Sequence, residues 1–310
     1  MRLRLSTRTC HEPDRSAVTL IRSLKFRTRP YCCSDAPPPD FLQTNIQMQR
    51  QRKRVTSELL NRLNLLAVSA LDADALDTAL KQVLFRAQAL ESKSPAEYFA
   101  IHGICASLRG DIPGVIQSFE TGLERAGWND FLFHNYVVAL DDAAEYKEAA
   151  AVARRALVEL PQSVDVMDAA TAITLHSGDI RTAGEAKTAL DGLLGYVAKE
   201  FAGLDTFLSQ ADRTDGLVDC INSAITTARL FLKDAGLRRM VSMSRFTDGI
   251  DGNLHMVLNY SPEEPDVNVS SLESALFDRL SELDDGVDVF DWVTISLSRK
   301  KMHADMLHAG

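Results

Sequence analysis

The sequence predicts a mostly α protein: a stack of short paired helices followed by a small α+β domain. Three observations lead there. The triplet Gly-Asp-Ile stands at Gly110 and again at Gly178, 68 residues later, which is two steps of 34. Between residues 57 and 190 apolar residues recur at three- and four-residue intervals, the period of a helix with one buried face. After Gly236 that period gives way to alternation, the pattern of strands with one face buried.

In chain order, the N-terminal segment comes first. Residues 1–54 carry 12 Lys and Arg against 4 Asp and Glu, a net of +8, so the remaining 256 of the 310 residues hold −17 of the total −9. Residues 1–40 read as a disordered basic arm ended by "DAPPPD", because proline lacks an N–H and resists helix. Its Arg-rich, acid-poor composition also fits an organelle transit peptide, the alternative to a cytoplasmic chain. The apolar run "AVTLI", interrupted by Arg22, is too short for a secretory signal. No apolar run reaches the ~18 residues that span a bilayer, so no membrane partner is expected. Five cysteines, an odd number, fit a reducing compartment with free thiols, and vicinal Cys32-Cys33 lacks zinc or redox spacing. The acidic body would be repelled by phosphates, which argues against nucleic acid as its partner.

Residues 41–200 form the helical part. Leu59, Leu60, Leu63, Leu65 and Leu66 cluster on a first helix that ends near Leu71. A second runs over Asp74–Leu90, with Leu76, Leu80, Val83, Leu84 and Ala87 on one face and a polar start at Asp72 that accepts free amides. Short helices joined by tight turns continue to Leu190. In 34-residue frames starting at Ala96, Asp130 and Val164, the first has Phe99 at position 4, Gly103 at 8, Gly110-Asp111-Ile112 at 15–17 and Phe119 at 24. The second has Phe133 at 4, Tyr146 at 17, Ala149 at 20, Ala153 at 24, Ala156 at 27 and Pro161 at 32. The third has Gly178-Asp179-Ile180 at 15–17 and Ala183 at 20. The frames depart from one another at Gly127, Val137, Thr171 and Lys187.

With these small, aromatic and proline positions, residues 96–195 resemble the tetratricopeptide-repeat family. The resemblance implies that the first glycine lets two helices approach closely and that Gly-Asp makes the turn between them. The pair at 57–91 would be a diverged cap, since solenoid ends must shield an apolar face. It also implies that positions 2, 5, 9, 12 and 13 of each first helix line a concave face. Here that gives Glu97, Ala100, Ile104 and Ser107, then Phe131, His134, Val138, Asp141 and Asp142, then Asp165, Asp168, Ala172 and His176. Some family members clamp a peptide carboxylate with Lys and Asn there. This sequence has neither Lys nor Arg at those positions, so the clamp is not carried over. An apolar strip edged by acids suits an apolar helix or extended peptide bearing Lys or Arg.

Residues 201–310 form the α+β part. A helix over Gly216–Ala235 has Ile221, Ala224, Ile225, Ala228, Leu230 and Phe231 on its apolar side. "RMVSMSRF" and "NLHMVLNY" alternate around a turn containing Asp-Gly twice, a hairpin signal that puts Leu254, Met256, Leu258 and Tyr260 on one face. Ser270 and Glu273 make a capping box for a helix to Leu283, and "VFDWVTISLSRK" reads as a third strand of an antiparallel sheet.

Catalytic signatures are sparse. The turn Asp248–Asn253 lacks the acid that a calcium loop needs at its twelfth position, which is Asn259 in a predicted strand. His303 and His308 are five apart, against the four-residue spacing of a helical ligand pair. No phosphate loop, nucleophile elbow or zinc-protease motif is present. The leading expectation is therefore a non-enzymatic adaptor, scaffold or chaperone for a protein or peptide, without a cofactor. Two alternatives stand beside it. One is an enzyme or small-ligand protein with its site around Arg238, Arg239, Arg245, His255 and Asp291; the other is a regulatory or immunity-type partner from a bacterial operon.

Overall fold

Three residues spaced 34 apart adopt the left-handed conformation: Gly110 (φ 73°), Ala144 (φ 59°) and Gly178 (φ 78°). These are the bends of three successive helix pairs in the computed structural model, which describes residues 19–20, 55–67, 69, 71–237, 240–249, 253–262, 268–283 and 289–297. At each bend the next residue's N–H reaches back five positions, from Asp111 to Ala106 (2.9 Å), Glu145 to Leu140 (2.8 Å) and Asp179 to Thr174 (2.8 Å). That bond satisfies a carbonyl the helix end leaves without a partner. The middle bend is invisible in the sequence echo because alanine stands where the others have glycine. A left-handed alanine costs roughly 1–2 kcal/mol, which the repeated geometry overrides.

A first helix, α1, covers 55–67. It is followed by α2 (Ala73–Ala87), α3 (Pro95–Arg109), α4 (Ile112–Ala126), α5 (Asp130–Asp142), α6 (Tyr146–Glu159), α7 (Val164–His176) and α8 (Ile180–Leu194). Their starts follow local capping: Asp72, Asp111, Asn129, Ser163 and Asp179 each accept an amide of the first turn. Consecutive helices pack as pairs, α3 on α4, α5 on α6 and α7 on α8, and each pair packs on the next. This is the arrangement of a helical-repeat solenoid. Within the first pair Gly103 lets Phe119 in: a Cβ there would lie 2.2 Å from the ring. Gly195 (φ 73°) ends α8, and only a 3-10 turn follows at Lys199–Phe201.

Two helices, α9 (Leu204–Ala211) and α10 (Leu217–Asp234), lead into a small sheet of β2 (Met240–Asp248), β3 (Leu254–Pro262) and β4 (Val293–Leu297). Met256, Leu258 and Tyr260 of β3 are fully buried, as the alternation predicts. β2 and β3 form the expected hairpin, in register from Met240–Pro262 to Asp248–Leu254. β4 departs from the expectation: it pairs parallel to β3, from Met256–Val293 to Tyr260–Leu297. The physical reason is α11 (Val269–Ser281), which carries the chain back to the starting end, as a parallel pair requires. The capping box is also corrected. Asn268 caps α11, and Glu273 instead accepts the N–H of Leu297 (3.2 Å). Thr19 and Leu20 form a two-residue strand, β1, opposite Ser244 and Met243 of β2. The rest of the basic arm, including Cys10, Cys32 and Cys33, lies outside the described residues, as do Arg50, Arg52, Lys53 and Arg54. One continuous apolar core runs from Leu59 to Leu297 and joins the helical stack to the sheet. Among the described residues no helix is long and apolar enough to cross a membrane.

Candidate partner-binding face

The face expected to bind a partner is built on the first helices of the pairs, α3, α5 and α7. The Asn129 side chain accepts from Leu132 N–H (3.0 Å) and starts α5, while Ser163 does the same for α7 through Val166. Asp165 then falls in the first turn of α7, where the helix dipole favours carboxylates, and Asp168 follows in the next turn.

The structure divides the predicted residues into two groups. Phe131, His134, Asp142 and Asp165 are half-buried and Asp168 is exposed, so these five reach the surface. Ile104, Val138 and His176 do not: they are 0%, 2% and 3% exposed and belong to the interior. Their expected place on an open trough is corrected here. Adjacent first helices approach too closely to leave a floor between them, as Ser107 Oγ shows by donating to Ala139 O (2.9 Å). Of the surface group, Asp165 lines an open depression of ≈610 Å3, together with Asp130, Glu159, Leu160, Pro161, Gln162, Ser163 and Val164.

At the other end of α5 and α7 the face is closed by the chain itself. The α10 residue Arg229, 1% exposed, forms an ion pair with Asp141. Its guanidinium lies 3.7 Å from the centre of the Tyr146 ring and 5.3 Å from that of Tyr260. One turn further along α10, Lys233 reaches Glu145 at 2.9 Å. Burial opposes the charge on Arg229, but Asp141 and the two tyrosines more than offset it and hold its pKa above the ordinary value. Burial pushes the Tyr146 phenol up to about 12 and the Tyr260 phenol higher still, so both stay neutral. Their hydroxyls have no hydrogen-bond partner among the described residues, nor does Nε2 of His176. His176 Nδ1 lies 2.8 Å from Ala172 O, so that nitrogen carries the proton. Burial, then the Arg229 charge, depress the imidazole pKa to about 3.

The sequence reading missed this cluster. It placed Leu230 on the buried side of α10, yet Leu230 is 45% exposed and Arg229 points inward. A signal was available: Ile225 and Leu232 bracket Arg229 at four and three residues, the spacing of one helical face. Cys105 is fully buried and its thiol is raised to about 12 by that burial, which leaves it un-ionised and unsuited to nucleophilic work.

The alternative site on the sheet assembles only in part. Arg238, Arg239, His303 and His308 lie outside the described residues, as do positions 250–252 of the hairpin turn. The register puts Arg245, which is exposed, on the same sheet face as His255. His255 is already engaged through both ring nitrogens, with Asp291 O at 3.0 Å and Thr294 Oγ1 at 2.7 Å. Asp291 thus contributes its backbone rather than its carboxylate. Among the described residues no group of three or more His, Cys, Asp or Glu is placed to hold a metal ion. No protein-family model matches the sequence, and neither the curated proteins nor the solved structures yield a match.

Proposed function

We propose that this chain is a protein-binding adaptor of tetratricopeptide-like architecture that takes a basic partner segment on the face of α5 and α7. The supporting geometry is the stack of helix pairs whose second members begin at Ile112, Tyr146 and Ile180, 34 residues apart. The observation that carries the reading is α10. Asp141 and Glu145 at one end of α5 already hold an amphipathic helix through Arg229 and Lys233. Asp165, Asp168 and the neighbouring acidic depression offer the same chemistry at the other end, with Phe131 beside it as the apolar contact. The fitting partner is an amphipathic helix or extended segment with Lys or Arg at helical or alternating spacing.

Fluorescence anisotropy with labelled amphipathic peptides tests the proposal, comparing Lys/Arg peptides with matched Glu peptides. The basic series binds, more weakly as salt rises. Replacing both acids, Asp165→Lys with Asp168→Lys, weakens binding by at least about tenfold, which is ~1.4 kcal/mol. Equal affinity for both series, or no effect of the double replacement, overturns the proposal.

A further inference from the structure

Four elements meet around one buried guanidinium. Arg229 of α10 lies over the ring of Tyr146, which opens α6, and beside that of Tyr260 on β3, at 3.7 Å and 5.3 Å from their centres. His176 ends α7 near enough for the Arg229 charge to depress its titration. Tyr146, Tyr260 and His176 are 5%, 0% and 3% exposed. Both phenolic hydroxyls and His176 Nε2 are shut off from solvent and bond to no described residue. Folded interiors satisfy nearly all such atoms, because a buried polar group without a partner loses its hydration and gains nothing in return.

The chemistry of these atoms defines what can satisfy them. His176 Nδ1 donates to Ala172 O at 2.8 Å, so Nε2 is an acceptor in need of a donor. Each neutral phenol has one proton to donate and lone pairs to receive another. A ligand here must therefore donate to the imidazole nitrogen and accept from a hydroxyl. It must also be neutral. Asp141 already balances Arg229, and Glu145 balances Lys233, so a further ion would be buried without a counter-charge.

We infer that Tyr146, Tyr260 and His176 form an internal binding site for ordered water, which donates to His176 Nε2 and accepts from the phenolic hydroxyls beside Arg229. Three partners of mixed donor and acceptor character fall within the roughly two to four that a buried water uses. The ring faces alone would hold the guanidinium, so the water gives the two hydroxyls their use. It ties α6 and α7 of the helical stack to β3 of the sheet. The seat of α10 is then a hydrogen-bonded network that includes water, and each bond in it polarises the next.

Urea unfolding of the full chain tests the inference through the sign of the hydroxyl contribution. With water bridging them, Tyr146→Phe and Tyr260→Phe each lower the folding equilibrium constant about five- to tenfold, as the loss of one hydrogen bond does. A bare hydroxyl gives the opposite result: its removal deletes an unpaired polar atom and leaves the constant unchanged or higher, which overturns the inference. A high-resolution crystal structure of the full chain reads the ligand directly. Water at about 2.7–3.2 Å from His176 Nε2 and within reach of a phenolic oxygen is the expected result. A dry cluster, or hydroxyls bonded straight to protein groups, overturns the inference, and this decides the matter should either phenylalanine variant fail to fold. Peptide binding on α5 and α7 is read separately and does not depend on either result.

Discussion

Replacing Gly178 by alanine probes how the helical stack is joined to its C-terminal domain. Gly178 has φ 78°, and a Cβ there would lie 2.7 Å from the backbone oxygen of Asn222 and 2.7 Å from Thr226 Oγ1, both on α10. Two separable penalties follow. The left-handed backbone costs an alanine ~1–2 kcal/mol, and the stiffer unfolded chain returns ~0.4–1 kcal/mol, leaving a net loss of about 0.5–1. The contact with α10 adds ~1–3 kcal/mol, because a helix backbone cannot give way as a flexible side chain does. Gly195 supplies the control: its φ is 73°, its surroundings are empty within 4 Å, and Gly195→Ala meets the backbone penalty alone. Urea unfolding followed by dichroism should therefore show Gly178→Ala losing about 1.5–4 kcal/mol against about 0.5–1 for Gly195→Ala. Hydrogen exchange should quicken in α10 only for Gly178→Ala. Equal losses at the two glycines would show that α10 does not rest on this bend, and the account of a self-closed face would go with it.

Two further outcomes follow from the buried cluster. Asp141→Ala leaves Arg229 charged and without its carboxylate in the interior, a loss of about 3–5 kcal/mol. Arg229→Met removes the buried charge and leaves a carboxylate that is only partly buried, 24% exposed, so it costs less, and the reverse order in urea melts refutes the burial argument. His176 has a folded pKa depressed to about 3 from 6.5, so the unfolded chain takes up its proton first. Its contribution is complete above pH 6.5 and is lost as pH falls toward 3, by about 1.4 kcal/mol per pH unit. Melting temperatures between pH 7 and 4.5 should consequently fall more steeply for the native chain than for His176→Gln, and parallel curves would contradict the assignment.

The division between what was legible and what was not follows the range of the forces involved. Turn and cap signals act over a few residues. Gly110, Gly178, Asp72, Asp111 and Asp179 therefore announced helix ends correctly, and the alternation of Leu254, Met256, Leu258 and Tyr260 announced a buried strand face. Ala144 was hidden, because the left-handed bend there is imposed by the neighbouring pairs against the preference of alanine. The candidate face was half legible. The frame found Asp165, Asp168, Phe131 and His134 at the surface, but a 34-residue period says nothing of what covers its own end.

By itself, the chain's order of residues set the helix pairs, their pitch, the hairpin and the charge of the face, since each depends on neighbours within one or two turns. Tertiary structure alone decided that Arg229 is buried on Asp141, that Ile104, Val138 and His176 lie inside, and that β4 runs parallel to β3. Those outcomes depend on where elements far apart in sequence come to rest. Arg229 and Asp141 are separated by 88 residues. No local preference reports the desolvation that makes their pairing obligatory.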